Sequence, residues 1–107
     1  KCSICGSGGK LHSHEVWEYD DINYIQTLVD ITALCEWCHH TKHIGHANIL
    51  NQGGEIDFED VIKHFMKINN CSREDFLEYE KECWDEWGER SHHNYKLDLG
   101  IYGGLIR

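Results

Sequence analysis

Residues 34–46 read LCEWCHHTKHIGH: two cysteines, four histidines and a lysine on what the pattern predicts to be a turn running into a helix. Cys35 and Cys38 have the C-x2-C spacing of half a tetrahedral zinc site, and Cys2 and Cys5 repeat that spacing at the start of the chain. His39 and His43 follow at i and i+4, so on a helix their rings share a face and can grip a second metal. The stretch therefore predicts two metals, one structural and one catalytic.

Working outward, 29 residues separate the two cysteine pairs, more than a minimal zinc ribbon needs, so an element of strand-hairpin size is inserted between them. It contains His12, His14 and Glu15. Leu11 to Trp17 is expected as a strand, Glu18 to Asp30 as a loop or ragged second strand, and Ile31 to Leu34 as a short strand delivering the chain to Cys35. A helix is expected from about His39 to Leu50, then a break at Asn51 to Gly54. Asp57 reads as the N-cap of a helix whose apolar residues Phe58, Val61, Ile62, Phe65 and Met66 recur at helical spacing until Asn69 and Asn70 stop it. Ser72 with Asp75 has the form of a capping box. The helix it opens carries Phe76, Tyr79, Cys83, Trp84 and Trp87, and Gly88 is placed to end it. Trp17, Trp84 and Trp87 read as packing residues, not base-stacking platforms. Tyr95, Leu97, Leu99 and Ile101 alternate like a strand ahead of the glycines at 103 and 104.

With 107 residues the chain is expected to form one domain, in which a metal staple supplements a modest core. Of the six cysteines, four fall into the two pairs, and Cys71 and Cys83 lie on later helical pattern, which favours zinc over a disulfide framework. No apolar run is long enough for a transmembrane helix and no signal sequence precedes Lys1, so no membrane partner and a reducing cytoplasm are expected. Charge opposes an easy nucleic-acid reading: 10 basic against 19 acidic side chains give a formal net charge of -9. Most of the excess acid lies in residues 55–107, with 7 basic and 13 acidic groups. The acidic run from Glu74 to Glu89 reads as the wet face of its helix.

The segments CSICG, LHSHEVW and LVDITALCEWCHHTKH, in this order and spacing, resemble the HNH endonucleases with the ββα-metal motif, in the subset that carries a four-cysteine zinc site. The likeness covers residues 2 to about 46. It implies an α+β fold: a zinc-stapled, treble-clef-like ββα-metal core over residues 1–50, then a helical extension over 55–107 with two helices and a short C-terminal strand. It also implies a structural Zn2+ on Cys2, Cys5, Cys35 and Cys38. His39 matches the family's last metal-binding histidine, and His43 the extra helical histidine of the colicin-like nuclease domains. The family's Asn falls on Asp30, which is expected to hold the loop by backbone contacts. On the first strand His14 aligns with the ligand position and Glu15 with the position that normally carries the general-base histidine. Either Glu15 is the base, or His14 is and the metal is held with help from His12 or Glu15; the apolar registers of Leu11 and Val16 favour His14, His39 and His43 as the ligands.

Such a site would hold a catalytic divalent cation, Mn2+, Mg2+, Ni2+ or Zn2+, with Mg2+ the weakest fit to imidazole. The implied activity is hydrolysis of DNA phosphodiester bonds, one strand per encounter, by a monomer or weak homodimer of low sequence preference or with specificity supplied by a protein partner. Desolvation of Glu15 would suit it to take a proton from water. His40, Lys42 and His46 lie on neighbouring faces, within reach of phosphate or simply exposed. From a different class comes a non-catalytic zinc-knuckle module that binds a protein through its acidic helices, a reading favoured by the net charge and the missing base histidine.

Overall fold

A ten-residue strand, β1 (Leu11–Asp20), turns back into β2 (Ile25–Cys35) as an antiparallel hairpin, and β3 (Lys96–Asp98) pairs in parallel with the start of β2, which is therefore central. Four helices follow the hairpin: α1 (Glu36–Lys42), α2 (Ile44–Gln52), α3 (Phe58–Asn69) and α4 (Arg73–Arg90), and a single 3-10 turn covers Gly100–Tyr102. The structure, a computed structural model, describes residues 1–102 of this α+β chain. No helix among the described residues is long and apolar enough to cross a membrane.

The hairpin is longer than the sequence pattern implies, because its turn carries no glycine or proline to announce it. The Asp20 carboxylate makes the turn by accepting the backbone N–H groups of Ile22 and Asn23, both at 3.0 Å, and the Asn23 side-chain amide at 2.9 Å. Tyr24 takes the left-handed conformation (φ 56°), held by its ring stacked 4.2 Å from that of His93 and by its carbonyl accepting the Lys96 N–H at 2.8 Å. The poor alternation of β1 also has a cause. Val16 faces Asp30 but Trp17 faces Leu28, so Val29 is an extra residue bulged out of β2. Across this bulge the half-buried positions switch from His12, His14 and Val16 to Trp17 and Tyr19, leaving Ser13, Glu15 and Glu18 exposed.

The expected helix from His39 to Leu50 is two helices. His43 breaks it with φ −125° and ψ 65°, ending α1 by donating its N–H to the carbonyls of His39 (3.1 Å) and His40 (3.2 Å), and its own carbonyl accepts the Ala47 N–H that starts α2. α3 starts where Asp57 accepts the Glu59 N–H and stops at Asn70 in the left-handed conformation. The Ser72–Asp75 capping box is complete at the start of α4. Ser72→Ala is expected to cost about 1 kcal/mol of stability, seen as a lower urea midpoint at unchanged slope. Gly88 does not end α4, which continues to Arg90. There the guanidinium binds Asp21 of the hairpin turn and Glu86 one turn back.

One core forms where α2, α3 and α4 meet: Ile44, Ala47, Val61, Ile62 and Phe76 are buried, with Trp37, Phe58, Phe65 and Tyr79 packed around them. Burying Phe76 alone contributes roughly 1.5–3 kcal/mol. A smaller cluster of Cys2, Leu34 and Cys38 lies between hairpin and helices. The strand expected from Tyr95 to Ile101 is confined to Lys96–Asp98. Gly100 turns the chain away at φ 54°, so close to β2 that a Cβ would sit 3.3 Å from the Leu28 carbonyl oxygen. The glycines at 103 and 104 lie outside the described residues.

Candidate metal centres

The first knuckle is a tight turn: the Cys2 N–H donates to the Ser7 carbonyl at 2.8 Å and the Gly6 N–H to the Cys2 carbonyl at 2.9 Å. It is tied to β2 by the Ser3 N–H donating to the Ala33 carbonyl at 2.9 Å. The second knuckle is the β2–α1 junction, where Cys35 is the N-cap of α1 and its sulfur accepts the Cys38 N–H at 3.5 Å. Together they place the sulfurs of Cys2, Cys5, Cys35 and Cys38 within 4.8 Å of one another.

The Cys5 and Cys35 sulfurs are 3.7 Å apart, far beyond a disulfide bond and close to the edge of a zinc tetrathiolate, about 3.8 Å for Zn–S bonds of about 2.3 Å. Burial pushes the Cys2 thiol up, but the backbone N–H groups of Cys5, Cys35 and Ile4 outweigh it and bring it down to about 6. At Cys38, fully buried, burial and then the neighbouring sulfurs push the thiol up. One member ionises readily and another resists until a cation offsets the charge, so the donor set fits a dication such as structural zinc.

A residue the sequence reading missed also belongs here. His64, on α3, has its Nε2 3.2 Å from the Cys38 sulfur. With Cys38 as a metal-bound thiolate the ring N–H is the donor, which ties the α3 layer to the cysteine cage. Its sequence signal was a histidine inside the α3 apolar stripe between Val61 and Ile68. His64→Ala is expected to weaken zinc binding by about 10–100-fold, measured by competition with a chromophoric chelator.

The second constellation joins strand and helix. His14 on β1, His39 on α1 and His43 at the α1–α2 break bring one ring nitrogen each within 4.8 Å of the others. His14 Nδ1 and His43 Nε2 are 3.2 Å apart, close to the edge of about 3.3 Å for imidazole nitrogens about 2.0–2.1 Å from one tetrahedral ion. Burial first, then the charges of His39 and Lys42, hold His14 below the ordinary histidine value. Burial and neighbouring imidazoles do the same for His39 and His43. The rings are thus neutral at pH 7 with lone pairs to offer, which fits a divalent cation.

Other expected site residues fall elsewhere. His12 stands beside His39, ring centroids 5.5 Å apart, but is not part of the three-nitrogen set. Glu15 is exposed on the rim of a cleft of about 620 Å³ that His14 and His43 also line, so the desolvation expected of it is absent. Asp30 is exposed in β2 beside the bulge, and its carboxylate accepts the Ile31 N–H at 2.8 Å; it does not line that cleft. His40 is buried edge-on against Trp37, its Nε2 3.6 Å from Glu36 and without a hydrogen-bond partner among the described residues, whereas Lys42 and His46 are exposed.

Two tryptophans differ from expectation: Trp84 and Trp87 are 43% and 66% exposed, and Trp87 walls the 620 Å³ cleft. Comparison of the chain with protein-family models, with curated proteins and with solved structures gave no match.

Proposed function

We propose that residues 1–107 act as one HNH-type endonuclease domain, a zinc-stapled ββα-metal core with a helical extension, that hydrolyses DNA phosphodiester bonds by nicking one strand per encounter. The observation that carries the reading is the convergence of His14, His39 and His43 beside the four-cysteine cage. A scaffold needs only the four sulfurs, whereas three imidazoles that each bring a ring nitrogen to one place are a donor set suited to a borderline divalent cation. His14, His39 and His43 would hold a divalent cation, which when bound supplies Lewis-acid stabilisation of charge developing on phosphate oxygens.

The chain's own groups divide the remaining tasks. Exposed Lys42 is placed to pair with a phosphate oxygen and position the strand. Glu15, on the same cleft and outside the imidazole set, is the group to accept the proton of the attacking water. The reading is tested by incubating supercoiled plasmid with the zinc-loaded protein and Mn2+, Ni2+, Mg2+ or additional Zn2+. Open-circular product is expected before linear, with Mg2+ least effective, and no nicking with any metal would overturn the reading. A second reading, a non-catalytic zinc-knuckle module for protein partners, is favoured by the net charge of -9 and gains if the plasmid stays intact.

A further inference from the structure

Two concavities meet at His43, one member of the imidazole cluster. The larger, about 620 Å³, lies between β1 and α4; the smaller, about 300 Å³, lies between α2 and α4. Both are lined by Lys42, His43, Cys83 and Trp87, so these four residues, Trp87 among them, border both hollows. Trp84 stands edge-on to Trp87 at 6.0 Å between centroids and walls the smaller hollow. Tyr19 lines the far end of the larger one.

The charges around this surface limit what it can take. Arg90 is already committed, its guanidinium on Asp21 and Glu86 and 3.7 Å over the Tyr19 ring. Lys42 forms no ion pair among the described residues. Glu15 and Glu86 face the larger hollow. A duplex is gripped by neutralising many phosphates, and one uncommitted lysine beside two carboxylates on a chain of net charge -9 cannot do that. Base stacking needs no positive surface: an aromatic face holds an unpaired base by about 1–3 kcal/mol whatever its sequence.

From this surface, and resting on the endonuclease reading of the same site, we propose that the substrate is a single or locally unpaired nucleic-acid strand. It crosses His43 and Lys42 with the nucleosides on either side of the scissile phosphate in the two hollows, one base stacked on Trp87. The charge deficit that counts against duplex binding is thereby consistent with nuclease activity. On a supercoiled plasmid the sites of attack are the transiently unpaired segments.

The test is binding without metal-dependent cleavage. Zinc-loaded protein is titrated into a fluorescein-labelled oligothymidylate 12-mer, the matching oligouridylate, and a duplex of equal length, and anisotropy is followed. Either single strand is expected to bind at least about 10-fold more tightly than the duplex. Trp87→Ala is expected to weaken single-strand binding by about 5- to 150-fold, the range a stacking energy of 1–3 kcal/mol implies. Trp87→Phe is expected to restore most of the loss. Because Trp87 is 66% exposed, the alanine variant keeps its fold, checked by far-UV circular dichroism and zinc content. Duplex binding as tight as single-strand binding, or a Trp87→Ala variant that binds single strands like wild type, would overturn the proposal. Trp87-dependent strand binding without nicking in any metal supports this inference while the endonuclease reading fails. Plasmid nicking insensitive to Trp87 does the reverse.

Discussion

Cys38→Ser is expected to leave the chain unfolded at room temperature, with no cooperative transition in far-UV circular dichroism and the cysteine-bound zinc lost. The small cluster under the hairpin consists of Cys2, Leu34 and Cys38, so two of its three buried residues are themselves candidate ligands. Little apolar surface is left there to hold the N-terminal knuckle and the β2–α1 junction together without metal. Structural zinc of this kind contributes apparent binding energies of roughly 10–16 kcal/mol, comparable to or larger than the whole stability of a small domain, about 5–15 kcal/mol. Strong chelation of the wild type should give the same unfolded spectrum. Cys71→Ser and Cys83→Ser supply the contrast: neither residue belongs to the four-sulfur set, and both variants should keep a cooperative transition and lose about 0.5–3 kcal/mol of stability at most. A Cys38→Ser protein that melts cooperatively near the wild-type midpoint would show that the cage is not what holds the fold.

Features set by neighbouring residues in the chain were legible before the structure. The C-x2-C pairs, the Asp57 cap, the Asn70 stop and the Ser72–Asp75 box each depend on a few consecutive side chains and backbone groups, and all are present as read. What was not legible depends on distance across the molecule. α4 has 18 residues and α3 only 12, so at about 1.5 Å per residue α4 outruns its partner by roughly 9 Å. Phe76 and Tyr79 therefore pack, while Trp84 and Trp87, drawn into the same apolar list by spacing alone, lie at and beyond the end of α3 and line the surface hollows, Trp87 both of them and Trp84 the smaller. Gly88 reads as a terminator from its type, yet the helix passes it because Arg90 has partners 69 residues away at Asp21. The sharp turn after Asp20 escaped because an aspartate and a left-handed tyrosine do what glycine usually advertises.

His39→Ala is the variant expected to separate metal holding from proton transfer. Its ring lies 4.7 Å from that of His43 and 5.5 Å from that of His14, so removing it takes one of three nitrogens from the set while leaving both cysteine knuckles intact. Disturbing even an outer partner of a ligand costs about 10–100-fold in activity, so loss of the ligand should lower nicking by at least about 100-fold. The fold and the cysteine-bound zinc should be retained. Glu15→Gln should also be slow, by about 100- to 10,000-fold, for a different reason: the carboxylate proposed to accept the water proton is replaced by an amide that cannot. The two variants differ in the metal they carry. Equilibrium dialysis against Mn2+ or Ni2+ should find the second site weakened in His39→Ala and unchanged in Glu15→Gln, because Glu15 stands outside the three-nitrogen set. On the proposed reading His14 is one of the three ligands, so His14→Ala should fall with His39→Ala. If instead His14→Ala keeps its second metal and loses only nicking, His14 is the base and Glu15 is not. If His39→Ala nicks like wild type, the imidazole cluster is not the seat of the chemistry.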